Sequence, residues 1–276
     1  MTRSPVRIVR PAEKQPSRVV VDGRPATPGD GWDPAITTYG HFTAMQVRAR
    51  RTRGLDLHLR RLEDATRELF GRDLDAELVR RSIRLALADD IADASVRVYV
   101  FHTEREPSVM VTAKPPQDAP STPQRLRSVR FQRPLAHVKH LGGFRLGGVD
   151  AQTYFRQQVQ AEGFDEALLT GPDGVVSEGA ITNVGFLDGS TVVWPDAPAL
   201  AGITMQLVQR GLTNRAVLWL RAPVRMADIR SFDGAFLTNS HGVWAANAID
   251  DWPFDVDAAR MASLLDVYEA VSWDEI

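Results

Sequence analysis

A proline-rich segment, KPPQDAPSTP at 114–123, divides the chain into two parts. Its four prolines in ten positions rule out a helix or a central strand, because proline lacks the backbone N–H and has a fixed φ. The chain has 276 residues, enough for one large domain or two smaller ones. We therefore expect a loose N-terminal segment over 1–18, a small domain over 19–113, a linker over 114–124 and a larger domain over 125–276.

Hydrophobic spacing predicts two helices and a hairpin before the linker. Leucines recur at spacings of three and four over about 56–70, Gly71 follows as a stop signal, and a second helical pattern covers about 76–88. The period then changes to two between Val96 and Val111, on both sides of a polar turn. The part before the linker is therefore predicted to be a small α/β domain.

The part after the linker is predicted to be rich in strands. Strand patterns cover about 126–131, 166–170, 175–178, 182–187 and 191–194, a further pair brackets 238–242, and helical patterns cover about 153–161, 202–212 and 256–271. An Asp188-Gly189 turn joins two of these strands into a hairpin. Hairpins and helices are mixed without a regular strand–helix alternation, which predicts an α+β fold rather than a doubly wound one.

Composition excludes several classes of protein. The chain has no cysteine, which excludes disulfides and thiolate chemistry. It has 33 basic and 35 acidic residues and a net charge of -2, which argues against a general nucleic-acid binder. No apolar run reaches the roughly 18 residues of a membrane span, and the N-terminus lacks the apolar core of a signal peptide. We expect a cytoplasmic protein that binds neither nucleic acid nor membranes.

Only three side chains carry a primary amine, those of Lys14, Lys114 and Lys139. Lys139 follows a predicted strand and has apolar neighbours in LAHVKHLGGF. An apolar site lowers the pKa of a lysine and makes it a nucleophile, although most lysines are solvated surface charges. Lys14 belongs to the loose N-terminal segment and Lys114 precedes two prolines. A mechanism that needs a reactive amine would therefore use Lys139.

Three further features could bind a charged ligand, although each also has a purely structural interpretation. Glu178, in VVSEGAITN, is either a turn residue or a charge partner for a protonated ring nitrogen. Ile203 and Thr204 begin a helix, whose free N–H groups and dipole can bind an anion. Arg61 lies either on a solvated helix face or inward, where its guanidinium suits a phosphate.

Several catalytic and binding motifs are absent. The chain contains no GxSxG, no GxxxxGK[ST] and no HExxH sequence. LGGFRLGG, at 141–148, is only loosely similar to a phosphate loop, and it alone would support a nucleotide-binding regulatory protein. His137 and His140 have no carboxylate cluster beside them, so no metal site is expected.

Taken together, these stretches resemble the class IV aminotransferases, enzymes of fold type IV that use pyridoxal 5'-phosphate. The similarity runs from about Tyr39 to Asp250. EGFDEALLTGPDGVVSEGAITNVGF carries its most specific part, because it is similar to the family's G-x-D-E-A-L-L, D-G and E-G-x-x-x-N elements in register. TYGHFTAMQVRARRTRGLDLHLRRL, LAGIT and FLTNSHGV are similar to the opening strand and HxxRL helix, the phosphate helix and a late strand-turn.

The resemblance implies pyridoxal 5'-phosphate as the cofactor, no metal, and a role for each candidate residue. Lys139 would form a Schiff base and then move a proton, and Glu178 would keep the pyridine nitrogen protonated. The other implied cofactor-binding residues are Arg61, Ile203, Thr204 and Ser240 at the phosphate, together with Asn183. Tyr39 and Phe42 would line the substrate side.

The resemblance also implies an architecture and a reaction. The fold would have a small N-terminal α/β domain and a larger C-terminal β-rich domain, in a homodimer with residues of both subunits near each site. The enzyme would transfer an amino group between an amino acid or amine and a 2-oxo acid. A 4-amino-4-deoxychorismate lyase-like enzyme and a catalytically degenerate cofactor-binding protein are the alternatives, because a fold alone does not fix a reaction.

The segment after Lys139 departs from the family pattern. It is longer than is usual, with the extra length in GGFRLGGVDAQ. Phe144 stands near where many members have a tyrosine or asparagine that bonds the cofactor's ring oxygen. That oxygen would then be left to water or to Tyr154.

Overall fold

A computed structural model describes residues 18–27, 39–102, 106–141, 145–146 and 149–276. It contains two large sheets. One is formed by strands that precede the proline-rich segment, and the other by strands that follow it. The mixed, strand-rich arrangement confirms the predicted α+β class.

The first sheet has five strands and two helices packed on it. Its elements are β1 (Arg18–Val21), β2 (Arg24–Pro25), β3 (Gly40–Val47), β5 (Ala94–His102) and β6 (Pro107–Lys114), with α1 (Leu55–Phe70) and α2 (Ala76–Leu87). The strand order is β2-β1-β6-β5-β3, and all neighbours are antiparallel. Leu62 of α1 and Ile83 of α2 are fully buried against the valines of β5. Gly71 ends α1 at a φ of 63°, which glycine adopts without strain.

The second sheet has nine strands and carries the remaining helices. Its strands are β7 (Gln124–Arg130), β10 (Glu166–Thr170), β11 (Val176–Gly179), β12 (Asn183–Asp188), β13 (Thr191–Pro195), β14 (Trp219–Ala222), β15 (Gly234–Asn239), β16 (Gly242–Ile249) and β17 (Trp252–Pro253). The order is β11-β10-β7-β16-β15-β12-β13-β14, and β17 pairs with β16. The pairs β7–β10, β7–β16 and β13–β14 are parallel, and the others are antiparallel.

The helices and small strands after the linker complete the fold. They are β8 (Arg145–Leu146), β9 (Val149–Asp150), α3 (Ala151–Ala161), α4 (Ile203–Asn214) and α5 (Ala258–Glu269). The helices agree with the predicted ones to within a few residues at each end. β14 and a short 3-10 helix at Met226–Ser231 were not predicted.

Short strands lie near both ends of the described chain. β1 begins at Arg18, the last residue of the segment expected to be loose, and the rest of that segment lies outside the described residues. Near the other end, β18 (Asp274–Glu275) pairs with β4 (Arg51–Thr52). The chain that follows α5 therefore returns to the start of α1.

Arg53 holds the residues that follow α5 in this position. Its guanidinium donates hydrogen bonds to the carbonyls of Val271 (3.2 Å) and Glu269 (3.1 Å) and lies 4.3 Å from the centre of the Trp273 ring. Such stacking adds a cation–π attraction to the hydrogen bonds. These contacts hold the start of α1 against the second part of the chain. Helix α1 also contributes residues to the wall of a cavity.

Candidate active site

A cavity of about 310 Å³ lies where β3 and α1 meet β11, the start of α4 and the turn between β15 and β16. Its charged lining consists of Arg53, Arg61, Arg97, Arg133 and Lys139 against Asp150 and Glu178. A concave surface with an excess of positive charge concentrates anions. The cavity is therefore suited to an anionic ligand.

Lys139 lies in the loop after β7 and turns its amine into this cavity. The loop is held against β3, because the carbonyl of Lys139 accepts a hydrogen bond from the backbone N–H of Phe42 (2.9 Å). The amine Nζ lies 4.9 Å from the centre of the Phe42 ring. Burial, followed by the charges of Arg61 and Arg133, lowers the pKa of Lys139 to about 7. Much of the amine is then unprotonated, and so nucleophilic, at neutral pH.

Glu178 is fixed through both of its carboxylate oxygens at the edge of the second sheet. Oε1 accepts a hydrogen bond from Arg133 Nε (2.9 Å), and Oε2 accepts one from the backbone N–H of Leu200 (3.0 Å). Burial raises the pKa of Glu178, while Arg133 and the Leu200 N–H oppose the rise. A carboxylate paired with a buried guanidinium is well suited to face a cationic nitrogen.

The start of α4 forms one end of the cavity. Gly202 precedes the helix and provides no side-chain cap, so the N–H groups of Ile203 and Thr204 have no partner within the helix, and both residues line the cavity. Arg61 Nη2 donates to the carbonyl of Ala201 (2.5 Å). Burial and the Arg133 charge lower the pKa of Arg61 to about 10, which still leaves it protonated at neutral pH.

The turn between β15 and β16 completes this anion-binding end. Ser240 lies in the turn and lines the cavity. Thr204 Oγ1 donates to the carbonyl of Asn239 in the same turn (2.6 Å). The four residues expected at a phosphate, Arg61, Ile203, Thr204 and Ser240, thus lie around one end of one cavity, and a helix N-terminus with an arginine is a ready anion site.

At two glycines of the cavity wall a side chain would collide with neighbouring protein atoms, and two buried hydroxyls belong to the same wall. A Cβ at Gly179 would lie 2.1 Å from Thr182 Oγ1, and one at Gly202 would lie 1.8 Å from Asn183 Oδ1. Within the described residues, the buried hydroxyls of Thr182 and Thr238 line the cavity without a hydrogen-bond partner. Buried polar groups are normally paired, so these two could serve a bound molecule.

Two of the other expected residues line the cavity, and two do not. Asn183 lines the cavity, but its amide donates to the carbonyl of Leu200 (2.7 Å) and so supports the loop before α4. Phe42 lines the cavity, whereas Tyr39 lies outside it and donates its hydroxyl to the carbonyl of Leu69 (2.9 Å). Tyr154 is exposed and does not line the cavity.

The segment after Lys139 is described only in part. Phe144 and most of LGGFRLGG lie outside the described residues. The residues that follow do reach the cavity, because Asp150, Gln152 and Thr153 at the start of α3 line it. The sequence reasoning did not assign these three residues to the site.

Further lining residues were not predicted, and those with basic side chains include His58, Arg97, Arg133 and His241. His58 belongs to the HxxRL pattern, which could have indicated it. Its Nδ1 is hydrogen-bonded to Thr43 Oγ1 (2.7 Å), and burial together with the Arg61 and Lys139 charges lowers its pKa to about 3. The ring is therefore neutral at the pH of the cell. Arg133, in the irregular stretch FQRPL, has no periodicity or motif that could have revealed it.

No group of three or more potential metal ligands occurs among the residues that the structure describes. Of the two histidines considered above, His137 is hydrogen-bonded to Glu68 (2.8 Å) and His140 to the carbonyl of Leu135 (3.1 Å). In the same described ranges, no helix is long and apolar enough to cross a membrane.

Comparison with known proteins gave one family and many related folds. The family model for amino-transferase class IV matches residues 40–249. A comparison with curated protein sequences gave no match. Among solved structures, a fold IV-transaminase from Curtobacterium pusillum has 21% identity and a TM-score of 0.78, over 93% of this chain and 100% of that one.

Two further structures show how widely the fold is shared. A branched-chain aminotransferase from Thermoproteus uzoniensis, solved with norvaline, has 17% identity and a TM-score of 0.79, over 91% of this chain and 93% of that one. A protein provisionally assigned as a 4-amino-4-deoxychorismate lyase in Legionella pneumophila has 19% identity and a TM-score of 0.73, over 85% and 92%. These similarities confirm the predicted fold type and leave the reaction open.

Proposed function

The chain belongs to the class IV aminotransferase family, and from this premise we propose that it is an aminotransferase that depends on pyridoxal 5'-phosphate. It would transfer an amino group between an amino acid or amine and a 2-oxo acid through a Schiff base at Lys139. The observation that carries the proposal is one cavity lined by the amine of Lys139, the paired carboxylate of Glu178 and a helix start suited to an anion.

The residues of the cavity fit this cofactor by charge and by shape. When bound, pyridoxal 5'-phosphate supplies an aldehyde for amines and a ring that withdraws electrons from the substrate carbon. Arg61, the N–H groups of Ile203 and Thr204, and Ser240 would hold its phosphate dianion. The cavity volume of about 310 Å³ is within the range of small-molecule sites, which leaves room for the ring. Thr182 and Thr238 offer hydroxyls that lack a partner in the described chain.

Two residues would carry the chemistry. Lys139, with its pKa lowered to about 7, can attack as a free amine and afterwards accept or return a proton at Nζ. Glu178 would hold a proton on the ring nitrogen, because its charge is fixed by Arg133 and Leu200. Asn183 would act indirectly by holding the loop before α4.

The substrate would be bound on the side formed by β3 and β5. Arg97 projects from β5 into the cavity and forms no ion pair with any described residue. His241 faces the same space, and its pKa is lowered by burial and by the Arg97 charge. An unpaired guanidinium is suited to a carboxylate, so we propose that Arg97 binds the acid group of the amino acid and of the 2-oxo acid. Phe42 would cover the apolar part of the substrate.

The proposal includes a homodimer. Several large apolar side chains are exposed in segments that also contribute lining residues to the cavity, namely Tyr39, Leu135, Tyr154 and Ile181. Ile181 also lines the cavity. Exposed apolar surface beside a site supports burial by a second copy. Sedimentation velocity at several concentrations would show a species of twice the chain mass, and a monomer throughout would contradict this part.

The test of the function is an absorbance spectrum of the purified chain with pyridoxal 5'-phosphate, before and after amino donors are added. We expect a visible band from the Schiff base, which Lys139→Ala abolishes and the control Lys114→Ala keeps. One donor class should bleach the band, and a 2-oxo acid should restore it. A band in Lys139→Ala would remove that residue from the proposed role, and no band in the parent chain would overturn the proposal.

The same titration separates the alternatives. The lyase would keep its band with every amino donor and release pyruvate from 4-amino-4-deoxychorismate. The degenerate binder would keep the band and turn over neither kind of substrate. Either result would leave cofactor binding in place and overturn the transfer reaction.

A further inference from the structure

Arg133 is a buried cation, and each of its three side-chain nitrogens donates a hydrogen bond within the protein. Its side chain is 4% exposed. Nε donates to Glu178 Oε1 (2.9 Å), Nη1 donates to the carbonyl of Val138 (2.9 Å), and Nη2 donates to the carbonyl of Ala136. Removing an arginine from water is costly, so an acceptor for each of the three nitrogens indicates a specific structural role.

The three acceptors belong to two segments that are distant in the sequence. Glu178 lies on β11, whereas Ala136 and Val138 lie in the loop that carries Lys139. Other contacts of the loop include the bond from the Val138 N–H to the carbonyl of Leu135 (3.0 Å), the pairing of Lys139 with Phe42 and the bond from the Leu141 N–H to the carbonyl of Gly40 (2.9 Å). His137 is also bonded to Glu68, and His140 to the carbonyl of Leu135. Among these contacts, the Arg133 fork is the one that joins the loop to the carboxylate.

We propose that Arg133 is the positioning residue of this site, which fixes the Glu178 carboxylate and the Lys139 loop in one arrangement. The inference rests on the proposed function for its purpose, since it concerns the two groups that would carry the proposed chemistry. A planar guanidinium can reach three acceptors at fixed angles, and a lysine ammonium cannot hold the same set.

The charge of Arg133 also acts on the amine. The charged groups that face Lys139 are Arg61, Arg133 and Arg97, which favour its neutral form, and Glu178, which favours the protonated form. His58 is neutral at this position. Replacing Arg133 by glutamine would remove one cation and leave Glu178 without its partner, and both changes stabilise protonated Lys139. A neighbouring charge typically shifts a pKa by about one unit or more.

The experiment is pH-dependent acetylation of the cofactor-free chain, read for each lysine by peptide mass spectrometry. Because there are only three lysines, Lys139 and the exposed reference Lys114 are resolved in one digest. Arg133→Gln should raise the labelling midpoint of Lys139 by about one pH unit and leave Lys114 unchanged. Arg130→Gln, the same change at an exposed site three positions earlier, should move neither. An unchanged Lys139 midpoint in folded Arg133→Gln, or an equal shift in Arg130→Gln, would overturn the assignment.

A second variant decides the matter if Arg133→Gln does not fold. Arg133→Lys keeps the charge and loses the fork, so the amides of Val138 and Leu141 should exchange hydrogen at least about fivefold faster, the equivalent of one hydrogen bond of roughly 1 kcal/mol. Unchanged exchange in that variant would refute the positioning role.

A failure of the proposed function can be distinguished from a failure of the Arg133 assignment, because the labelling and exchange measurements need no cofactor. A parent chain without the visible band would overturn the proposed function whatever the labelling shows. An unaltered Lys139 profile would overturn only the role of Arg133.

Discussion

Arg133 Nε lies 2.9 Å from Glu178 Oε1, and the two side chains are only 4% and 5% exposed. The other oxygen of Glu178 accepts the N–H of Leu200. Each carboxylate oxygen can accept two hydrogen bonds, so both keep capacity for a donor in the cavity. The pair thus gives the site one fixed negative charge among several positive ones.

Removing the negative charge of Glu178 should slow the reaction with the amino donor without preventing cofactor binding. Glu178→Gln keeps the shape and the acceptor for Arg133, and removes the charge that would hold a proton on the ring nitrogen. We expect the visible band with pyridoxal 5'-phosphate to persist, and its bleaching by a reactive donor to slow roughly 100-fold, as when one preorganised electrostatic contact is lost. Stopped-flow absorbance with the best donor would measure this rate.

The control for this prediction is Glu162→Gln. Glu162 is exposed at the end of α3 and pairs only loosely with Arg127 (3.6 Å), so the same chemical change there should leave the bleaching rate unaltered. Equal rates in the parent and in Glu178→Gln would show that the carboxylate takes no part in the reaction.

The sequence predicted most of the fold because its elements follow local rules. Helix α1 combines apolar residues at helical spacing with a stop at Gly71, and β5 alternates buried valines with more exposed residues, so local pattern and tertiary structure agree. β14 was not predicted because its four residues are half-exposed to exposed and show no alternation between apolar and polar residues. The pairing of β18 with β4 joins segments more than 200 residues apart. A contact of that range has no signature in local periodicity.

The site was predicted where a motif exists and missed where only geometry exists. Lys139, Glu178 and the start of α4 lie in recognisable stretches, and the structure gathers them around one cavity. Arg133 reaches the site through an irregular loop, and nothing in FQRPL distinguishes it from the many surface arginines of the chain. Tyr39 is adjacent to β3, but its hydroxyl is taken by the end of α1, which one-dimensional spacing cannot anticipate.

The phosphate end can be tested with two forms of the ligand. Arg61→Gln should weaken the affinity for pyridoxal 5'-phosphate roughly 10- to 100-fold, because hydrogen bonds to a charged group contribute about 1.5–3 kcal/mol each. The affinity for pyridoxal, which lacks the phosphate, should change little. Equilibrium titration of the visible band gives both constants. Arg60→Gln, at the exposed neighbouring position, serves as the control, and an equal loss for both ligands would contradict a phosphate contact.

The lowered pKa of Lys139 should be visible in the rate of cofactor capture. The attacking form is the free amine, and its fraction rises with pH until the pKa of about 7 is passed, instead of the ordinary 10.5. We expect the second-order rate of band formation to rise about tenfold per pH unit below 7 and to level off above it. Rapid mixing of cofactor-free chain with pyridoxal 5'-phosphate from pH 5.5 to 9.5 would measure it. A rate still rising steeply at pH 9 would contradict the lowered pKa.

Glu166 should impose a pH dependence on stability that is independent of the reaction. Its side chain is buried beneath α3, with Arg156 Nε at 3.3 Å and the Ala167 N–H at 3.0 Å, and burial raises its pKa from 4.5 to about 7. Between pH 4.5 and 7 the folded chain therefore holds a proton that the unfolded chain has released. The raised pKa of Glu166 therefore adds about 3 kcal/mol to the free energy of unfolding below pH 4.5. This stabilisation decreases above pH 4.5 and is lost as the pH rises through 7.

Glu166→Gln should remove this dependence, because the amide is neutral in both states. We expect the parent to lose stability relative to the variant as the pH is raised from 5 to 7.5, so that the difference between their thermal unfolding midpoints changes steadily in favour of the variant. Glu162→Gln, which alters an exposed carboxylate on the same helix end, should track the parent. Parallel midpoints for the parent and Glu166→Gln across this range would mean that Glu166 is already ionised in the folded chain, with Arg156 fully compensating its burial.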